Sequence, residues 1–459
     1  MKTSIIRSSW MATNGFRLDT NPYLGGALET KFLLEQLPLP KHFIRDLVSP
    51  EYGGIYFAGR ASVQWVDARE FGIPFLRGKD IQSADLAESP FISRNQVKEY
   101  PAFLIKKGMT LITRSGTIGK TAYVRAEMDG MATSDPLRIV PDPQKIPPGY
   151  LYAFISSKYG ISLVASGASG AIIQHLDPDD IAGIAVPRLG DALEHEIHTL
   201  VEQAAELRTK ASRLRQAAIR ELETTISWKT HGNCLWQTVK SSEVSRRIDA
   251  HFHANRSRSG RVALESYSQT ESVRSFAAAI YCPDRGARTK VESAEYGVPF
   301  LSSSDVFEVA PTAHFMISRD TRDFDRFILS ADDVLLPRSG SLGGVIGRAI
   351  LPIPTNYGQA GSDHLIHIRC KSPNDAHYLW AILASKPGYA AVLATAFGSA
   401  IPSLDLQLIG DLHIPILQKP ERDSITDSVT QAVQLADRAV KLDQTALGIL
   451  ETALNSHSE

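Results

Sequence analysis

The stretch LGDALEHEIHTLVEQAAELRTKASRLRQAAIRELETTISW (Leu189–Trp228) decides how the rest of this 459-residue chain is laid out. On one heptad phase Leu193, Ile197, Leu200, Ala204, Leu207, Ala211, Leu214 and Ala218 recur at alternating steps of four and three. That spacing keeps a narrow apolar stripe against a partner helix. Asp191 with Glu194 suits a capping box, and Pro187 and Gly190 punctuate the entry. Forty helical residues would extend roughly 60 Å. A shorter stripe of this kind would read as an ordinary core helix, but a partner stands in the same chain. Val429, Val433, Ala436, Val440, Leu447, Leu450 and Leu454 repeat the spacing near the C-terminus, with Asp443 as a polar interruption. The two stretches predict an intramolecular, antiparallel two-helix coiled coil.

Upstream of each helix the chain is written twice. Ile55–Arg60 returns as Ile280–Arg285, and Gly72-Ile73-Pro74-Phe75-Leu76 as Gly297-Val298-Pro299-Phe300-Leu301, both 225 residues later. Arg17-Leu18-Asp19 matches Arg247-Ile248-Asp249, and Arg114-Ser115-Gly116 matches Arg338-Ser339-Gly340. From Ser134-Asp135 and Ser362-Asp363 onward the offset is 228, carrying Ser157-Lys158 to Ser385-Lys386, Leu176-Asp177 to Leu404-Asp405 and Pro187 to Pro415. A repeat this long is a duplicated domain and not a solenoid unit.

Within each copy, Ile55–Phe57, Ile73–Leu76, Thr110–Thr113 and Leu137–Val140 read as short strands broken by Gly and Pro. Tyr150–Ser156 and Tyr378–Ala384 read as one short helix each, followed by a Gly/Ser-rich loop. The expected fold class is α+β. Two pseudo-symmetric domains, 1–188 and 229–417, are separated by the coiled coil of helices 189–228 and 418–459, with Thr230–Ser245 as a joint. The copies agree at Gly, Pro, Asp and apolar positions and diverge between them. Ala61-Ser62-Val63-Gln64-Trp65-Val66 is set against Gly286-Ala287-Arg288-Thr289-Lys290-Val291, and Gln174-His175 against Pro402-Ser403. A constant frame with different polar side chains in its loops suits recognition of two different targets in one manner.

Composition narrows the class. Apolar residues make up 43% and charged residues 22%, an ordinary globular balance. Three cysteines (Cys234, Cys282, Cys370) without a C-x-x-C pair fit neither a disulfide framework nor a zinc cluster. No apolar run approaches the ~20 residues that span a bilayer, and the first fifteen residues lack a signal peptide's apolar core. A cytoplasmic protein is expected. Residues 1–188 carry 21 Lys/Arg against 18 Asp/Glu and residues 229–417 carry 19 against 18, whereas both helical stretches are net acidic. Two mildly basic bodies permit a duplex-binding face without demanding one.

The motifs resemble the DNA-specificity subunit of type I restriction–modification systems. The resemblance is carried by Gly59-Arg60 before Gly72–Leu76, by Leu111–Gly119 (Leu-Ile-Thr-Arg-Ser-Gly-Thr-Ile-Gly), and by Asp180–Leu189 leading into the helix. The second copy departs from it, with Asp284 in place of the glycine and Leu408 in place of Asp180. The resemblance implies a subunit without chemistry or cofactor of its own. It would select a split, asymmetric site on double-stranded DNA, one half per target-recognition domain, with the coiled coil as spacing ruler. It would dock modification subunits, two of them, that use S-adenosylmethionine to methylate adenine, and in the full complex a restriction motor-nuclease subunit.

Arg60 and Arg285 in matched turns, with Ser62, Gln64, Arg288 and Lys290 after them, are the first candidates for DNA contact. Arg presents two parallel donors to guanine, and Gln can pair bidentately with adenine. Lys120, Gln174, His175 and Ser403 lie where the copies differ. Arg114 and Arg338 are shared, which suits a phosphate contact or a brace better than base choice. Each could equally serve a surface or intradomain salt bridge.

Signs of catalysis are incomplete. Gly116–Thr121 ends like a P-loop, but Arg114 stands where that loop needs glycine. Asp19, Glu29 and Lys31 have a nuclease-like spacing that Asp249 does not reproduce. Asn21-Pro22-Tyr23 lacks the second proline of an amino-methyltransferase motif, and no carboxylate or cysteine cluster completes a site around His251 and His253. A self-sufficient methyltransferase or nuclease, and a scaffold that never touches DNA, are the competing readings.

Overall fold

A computed structural model describes residues 26–59, 62–115, 117–167, 175–228, 250–286, 288–398 and 400–457, together with Met11, Tyr23, Thr238, Lys240, Ser241, Val244 and Ile248. Arg60, Gln174, both Arg-x-Asp matches and most of the Thr230–Ser245 joint lie outside the described residues. The chain divides into two units, Met1–Thr209 with Arg438–Glu459, and Lys210–Asp437.

The first unit opens with α1 (Ala27–Gln36), β1 (Lys41–Phe43) and α2 (Ile44–Leu47). Strands β2 (Ile55–Tyr56), β3 (Trp65–Val66), β4 (Gly72–Pro74) and β5 (Phe91–Ser93) precede α3 (Arg94–Glu99). Then come β6 (Thr110–Ile112), β7 (Thr121–Tyr123), β8 (Leu137–Ile139), α4 (Pro148–Ser156), α5 (Lys158–Gly167), α6 (Pro178–Ala182), β9 (Ala185–Pro187) and α7 (Asp191–Thr225). The strands form three antiparallel sheets, ordered β2-β8-β6-β7, β3-β5-β4 and β1-β9.

The second unit repeats the plan. After α8 (Ala250–His253) and α9 (Asn255–Glu265) run β10 (Thr270–Ser272), α10 (Val273–Phe276), β11 (Ala277–Tyr281), β12 (Lys290–Val291), β13 (Gly297–Leu301) and β14 (Phe315–Ser318). Next are β15 (Asp333–Pro337), β16 (Ala360–Gly361), β17 (Leu365–Cys370), α11 (Pro373–Ala384), α12 (Lys386–Ala394), β18 (Ala396–Phe397), β19 (Ser403–Leu404), α13 (Leu406–Gly410), β20 (His413–Pro415) and α14 (Lys419–Ser456). Its β11-β17-β15 sheet answers β2-β8-β6, β12-β14-β13 answers β3-β5-β4, and β10-β20 answers β1-β9. Register matches too: Trp65 faces Ile92 as Lys290 faces Ile317, and Lys41 faces Pro187 as Thr270 faces Pro415.

The expected strands are present, and so is the α+β class. Each expected helix is followed by a second one, α5 and α12, where the Gly/Ser content suggested a loop. Small residues at these turns serve close packing. A Cβ on Gly160 would lie 2.2 Å from the Phe154 carbonyl oxygen, and one on Gly388 1.8 Å from that of Ile382. The hydroxyls of Ser157 and Ser385 each accept the N–H three residues on, that of Gly160 or Gly388, which offsets an orphan donor at the helix start. Tyr150 and Tyr378 are fully buried, and their hydroxyls donate to the carbonyls of Pro187 and Pro415 at 2.5 and 3.0 Å. Those bonds tie each helix pair to the strand that feeds its long helix.

In the first unit the opening half of α7 packs with the closing half of α14. Ile197, Val201 and Ala205 share one core with Ala446, Leu450 and Leu454. In the second unit the closing half of α7 meets the opening half of α14, and Ser424 Oγ donates to Glu221 Oε2 at 3.1 Å. The helices therefore run antiparallel, as the two stripes predict. The seam, however, is shifted by one column. On α7 it comprises Ile197, Ala204, Ala211 and Ala218 with Val201, Arg208, Arg215 and Leu222. On α14 it comprises Ile425, Ala432, Ala439 and Ala446 with Val429, Ala436, Asp443 and Leu450, the same positions 228 residues later. Leu193, Leu200, Leu207, Leu214 and Leu447 are only half-buried, whereas Val433 and Val440 are buried. Leu193, Leu200 and Leu447 pack on the first unit's globular core. Alanine in the seam lets two backbones approach closely, and the bulkier leucines then serve the flank. The entry of α7 also departs from a box with Asp191. Glu194, fully buried, reaches past it to accept the N–H of Leu189 and a forked pair of bonds from Arg188 at 2.9 and 2.7 Å.

Candidate nucleic-acid interface

In the first unit the chain 62–64 approaches β3 after leaving the turn at Gly59. Its last main-chain rung is the Ser93 N–H to the Gln64 carbonyl at 2.8 Å. The amide of Gln96, on α3 and only 4% exposed, holds the rest. Its Oε1 accepts the Gln64 N–H at 2.8 Å and its Nε2 donates to the Ser62 carbonyl at 2.7 Å. With their backbone held, Ser62 and Gln64 are exposed, and neither side chain is drawn into the sheet. Trp65, next along, is 53% exposed with its ring edge-on to Phe75 at 5.2 Å.

The equivalent edge of the second unit carries different chemistry on the same backbone. The Ser318 N–H meets the Thr289 carbonyl at 2.9 Å, the counterpart of the Ser93–Gln64 rung. Lys290 takes the place of Trp65, exposed, with Nζ 4.2 Å from the Phe315 ring centre. Phe315 stacks on Phe300 at 4.9 Å, and the Arg288 guanidinium lies 5.0 Å from Phe300. Arg288 Nη1 donates to Asp363 Oδ1 at 2.6 Å, so its fork is aimed by a carboxylate that is itself buried. Arg285 is exposed. Close by, Arg326 donates to the Cys282 carbonyl at 3.1 Å, pairs with Asp284 at 3.7 Å and lies over Tyr281 at 5.1 Å. The turn before β12 thus concentrates guanidinium groups, and among the described residues the first unit's edge presents an amide and an indole.

The other two loops meet in both units. Ser115 bridges His175 and Ser339 bridges Ser403, while the N–H groups of Leu176 and Leu404 donate to the carbonyls of Arg114 and Arg338 at 3.1 and 2.8 Å. Arg114 is not available to a phosphate. It is 4% exposed, its Nε donates to the Leu176 carbonyl, its Nη2 pairs with Asp177 at 3.1 Å, and it stacks on Phe57 at 3.9 Å. Of the two roles open to a shared arginine, phosphate contact or brace, this packing is that of a brace at the loop junction. Arg338 is half-buried beside Cys282, whose thiol is pushed up by burial, with Arg338 acting in the opposite sense. Lys120 is half-buried, its backbone N–H donating to Thr113 Oγ1 at 3.0 Å. His175 is half-buried, and Ser403 Oγ lies 2.7 Å from Ser339 Oγ. Ser115 Oγ donates to Asp135 at 2.5 Å.

Gln96, Trp65, Arg326 and a matched aromatic pair escape a reading of the sequence alone. Phe71 and Tyr296 are 64% and 60% exposed, each just before the glycine that starts β4 or β13. The repeat itself holds their signal, in Glu70-Phe71-Gly72 against Glu295-Tyr296-Gly297. Among the described residues no three His, Cys, Asp or Glu side chains gather as a metal site, and no helix is long and apolar enough to cross a membrane.

No protein-family model matches the chain, and no curated protein matches its sequence. Solved structures do align along most of its length. The S subunit of the type I restriction–modification system from M. genitalium is 12% identical with a TM-score of 0.37, covering 92% of this chain and 96% of that one. The HsdS subunit from Thermoanaerobacter tengcongensis is 14% identical with a TM-score of 0.28, covering 92% and 98%. A third, from a structure of complex assembly and conformational transition of the type I R–M system, is 14% identical with a TM-score of 0.28, covering 91% and 98%.

Proposed function

We propose that this chain is the DNA-specificity subunit of a type I restriction–modification complex. Its two target-recognition domains, 1–188 and 229–417, each read one half of an asymmetric bipartite duplex site, and neither performs chemistry. In this reading the chain docks cytoplasmic modification subunits that methylate adenine with S-adenosylmethionine, and a restriction motor-nuclease subunit joins them.

One observation carries the reading. The β3 and β12 edges share backbone register but present Gln64 and Trp65 on one side and Thr289, Lys290 and Arg288 on the other. A fixed frame sets the distance from backbone to base edge, and the side chains then choose the base. An amide matches adenine's donor–acceptor pair, and a guanidinium matches guanine's two acceptors. Arg285 and Lys290 also offer exposed charge to phosphates. Mapping methylated adenines in cells with and without this gene tests the proposal. A bipartite motif should disappear with the gene. An unchanged methylome, or a purified chain that methylates or cuts DNA unaided, would refute it.

A further inference from the structure

The two reading edges are held in place by different buried residues, and neither holder lies in the loop it serves. Where the first chain segment leaves the sheet at Gln64, the Gln96 amide supplies one more donor and one more acceptor, as a further rung of the ladder would. By register the second unit has Thr321 at this place, and its buried hydroxyl has no hydrogen-bond partner. A threonine is too short to span two peptide groups. There the edge is fixed through a side chain, with Asp363 aiming Arg288 while Phe300 backs the guanidinium. The first unit's equivalent aspartate, Asp135, is spent on Ser115 and Arg114.

We infer that Gln96 and Asp363 are positioning residues for base choice, Gln96 for the first half-site and Asp363 for the second. The inference rests on the proposed DNA-reading role. A base contact discriminates only while its donors stay in place, and both holders are 4% exposed, so they act through the residues they hold. Gln96→Met keeps length and volume but removes both amide bonds. Asp363→Asn keeps shape but removes the charge that pulls on Arg288.

The test uses the full chain with its modification subunits, methylating a library randomised across both half-sites. Thermal unfolding of each variant is followed in parallel. Gln96→Met should lower discrimination in the first half by about tenfold, the scale of one base contact, and leave the second half unchanged. Asp363→Asn should do the reverse. Gln96→Glu, which retains the acceptor for the Gln64 N–H, should fall between wild type and Gln96→Met. Equal loss in both halves, or unchanged discrimination in a folded variant, would overturn the inference. A wild-type complex with no sequence preference at all would instead overturn the proposed function.

Discussion

Arg208 Nη2 lies 2.6 Å from Asp443 Oδ2, and both residues occupy seam positions of the paired helices where their neighbours are alanine, valine and leucine. Burial raises the Asp443 pKa, with Arg208 opposing it. An ion pair in a seam contributes little net stability, because desolvation offsets attraction, but it penalises every other register. Asp443→Leu should cost about 3–5 kcal/mol by leaving a guanidinium buried without its partner. Arg208→Leu combined with Asp443→Leu should recover most of that loss. Urea unfolding of the single and double variants separates the two cases. An Asp443→Leu variant as stable as wild type would show that the pair is solvated.

The raised pKa of Asp443 has a definite sign. A carboxyl whose folded pKa exceeds its unfolded value costs stability once pH rises past the unfolded value, about 4. His198 and Glu202 act oppositely. Burial lowers the His198 pKa, and the neutral ring accepts the Gly149 N–H at 3.0 Å. For Glu202 burial pushes the pKa up, but bonds from Lys107 and Tyr123 outweigh it and leave it lowered. Their contributions are present above about pH 6.5 and 4.3 respectively and are lost as pH falls through the lower folded values. The His198 contribution should therefore be lost between pH 7 and 5, and His198→Gln should flatten that part of the unfolding profile. An unaltered pH profile in His198→Gln would contradict this assignment.

Two glutamates 228 residues apart cap matched helices. Glu451 Oε1 accepts the Lys158 N–H at 3.1 Å, and Glu223 Oε1 accepts the Lys386 N–H at 2.8 Å. Each anion sits at a helix start, where free N–H groups and the dipole favour it. Glu223→Ala and Glu451→Ala should each cost about 0.5–2 kcal/mol. Their double variant should lose the sum, because the two sites share no partner. Calorimetry on the three variants checks this, and strong non-additivity would argue against independent caps.

Much of the fold was legible because the chain contains its own alignment. Paired matches such as Gly72–Leu76 with Gly297–Leu301 predict that both sheets recur, and they do. Ile197, Ala204, Ala211 and Ala218 stand in both the expected stripe and the seam, but the second column was not legible, since hydrophobicity favours Leu200, Leu207 and Leu214 over Val201 and the charged Arg208 and Arg215. Only packing reveals which column faces the partner helix. At the candidate interface, Ser62, Gln64 and Lys290 are exposed as the divergent loops suggest. Arg114 looks the same in sequence as an exposed arginine, and its burial follows from Asp177 and Phe57, which are distant along the chain. Gln96 was invisible for the same reason: it serves residues more than thirty positions before it.

Exposure separates two arginines by experiment. Arg285→Ala should leave thermal stability unchanged, weaken duplex binding and reduce the salt slope of log K by about one. Arg114→Leu should destabilise the first unit by stranding the carbonyl of the buried Leu176, at about 1–3 kcal/mol. If Arg285→Ala binds as wild type at every salt concentration, the turn before β12 does not face DNA.

In the proposed reading one shared backbone edge reads two different half-sites through its side chains. Replacing Gln64 and Trp65 by their second-copy counterparts (Gln64→Thr with Trp65→Lys) and sequencing adenine methylation in cells carrying only that variant tests it most directly. The bipartite motif should then have a changed first half, with the second half and the spacer intact. A folded, active variant that methylates the original motif, or one that loses both halves together, would contradict it.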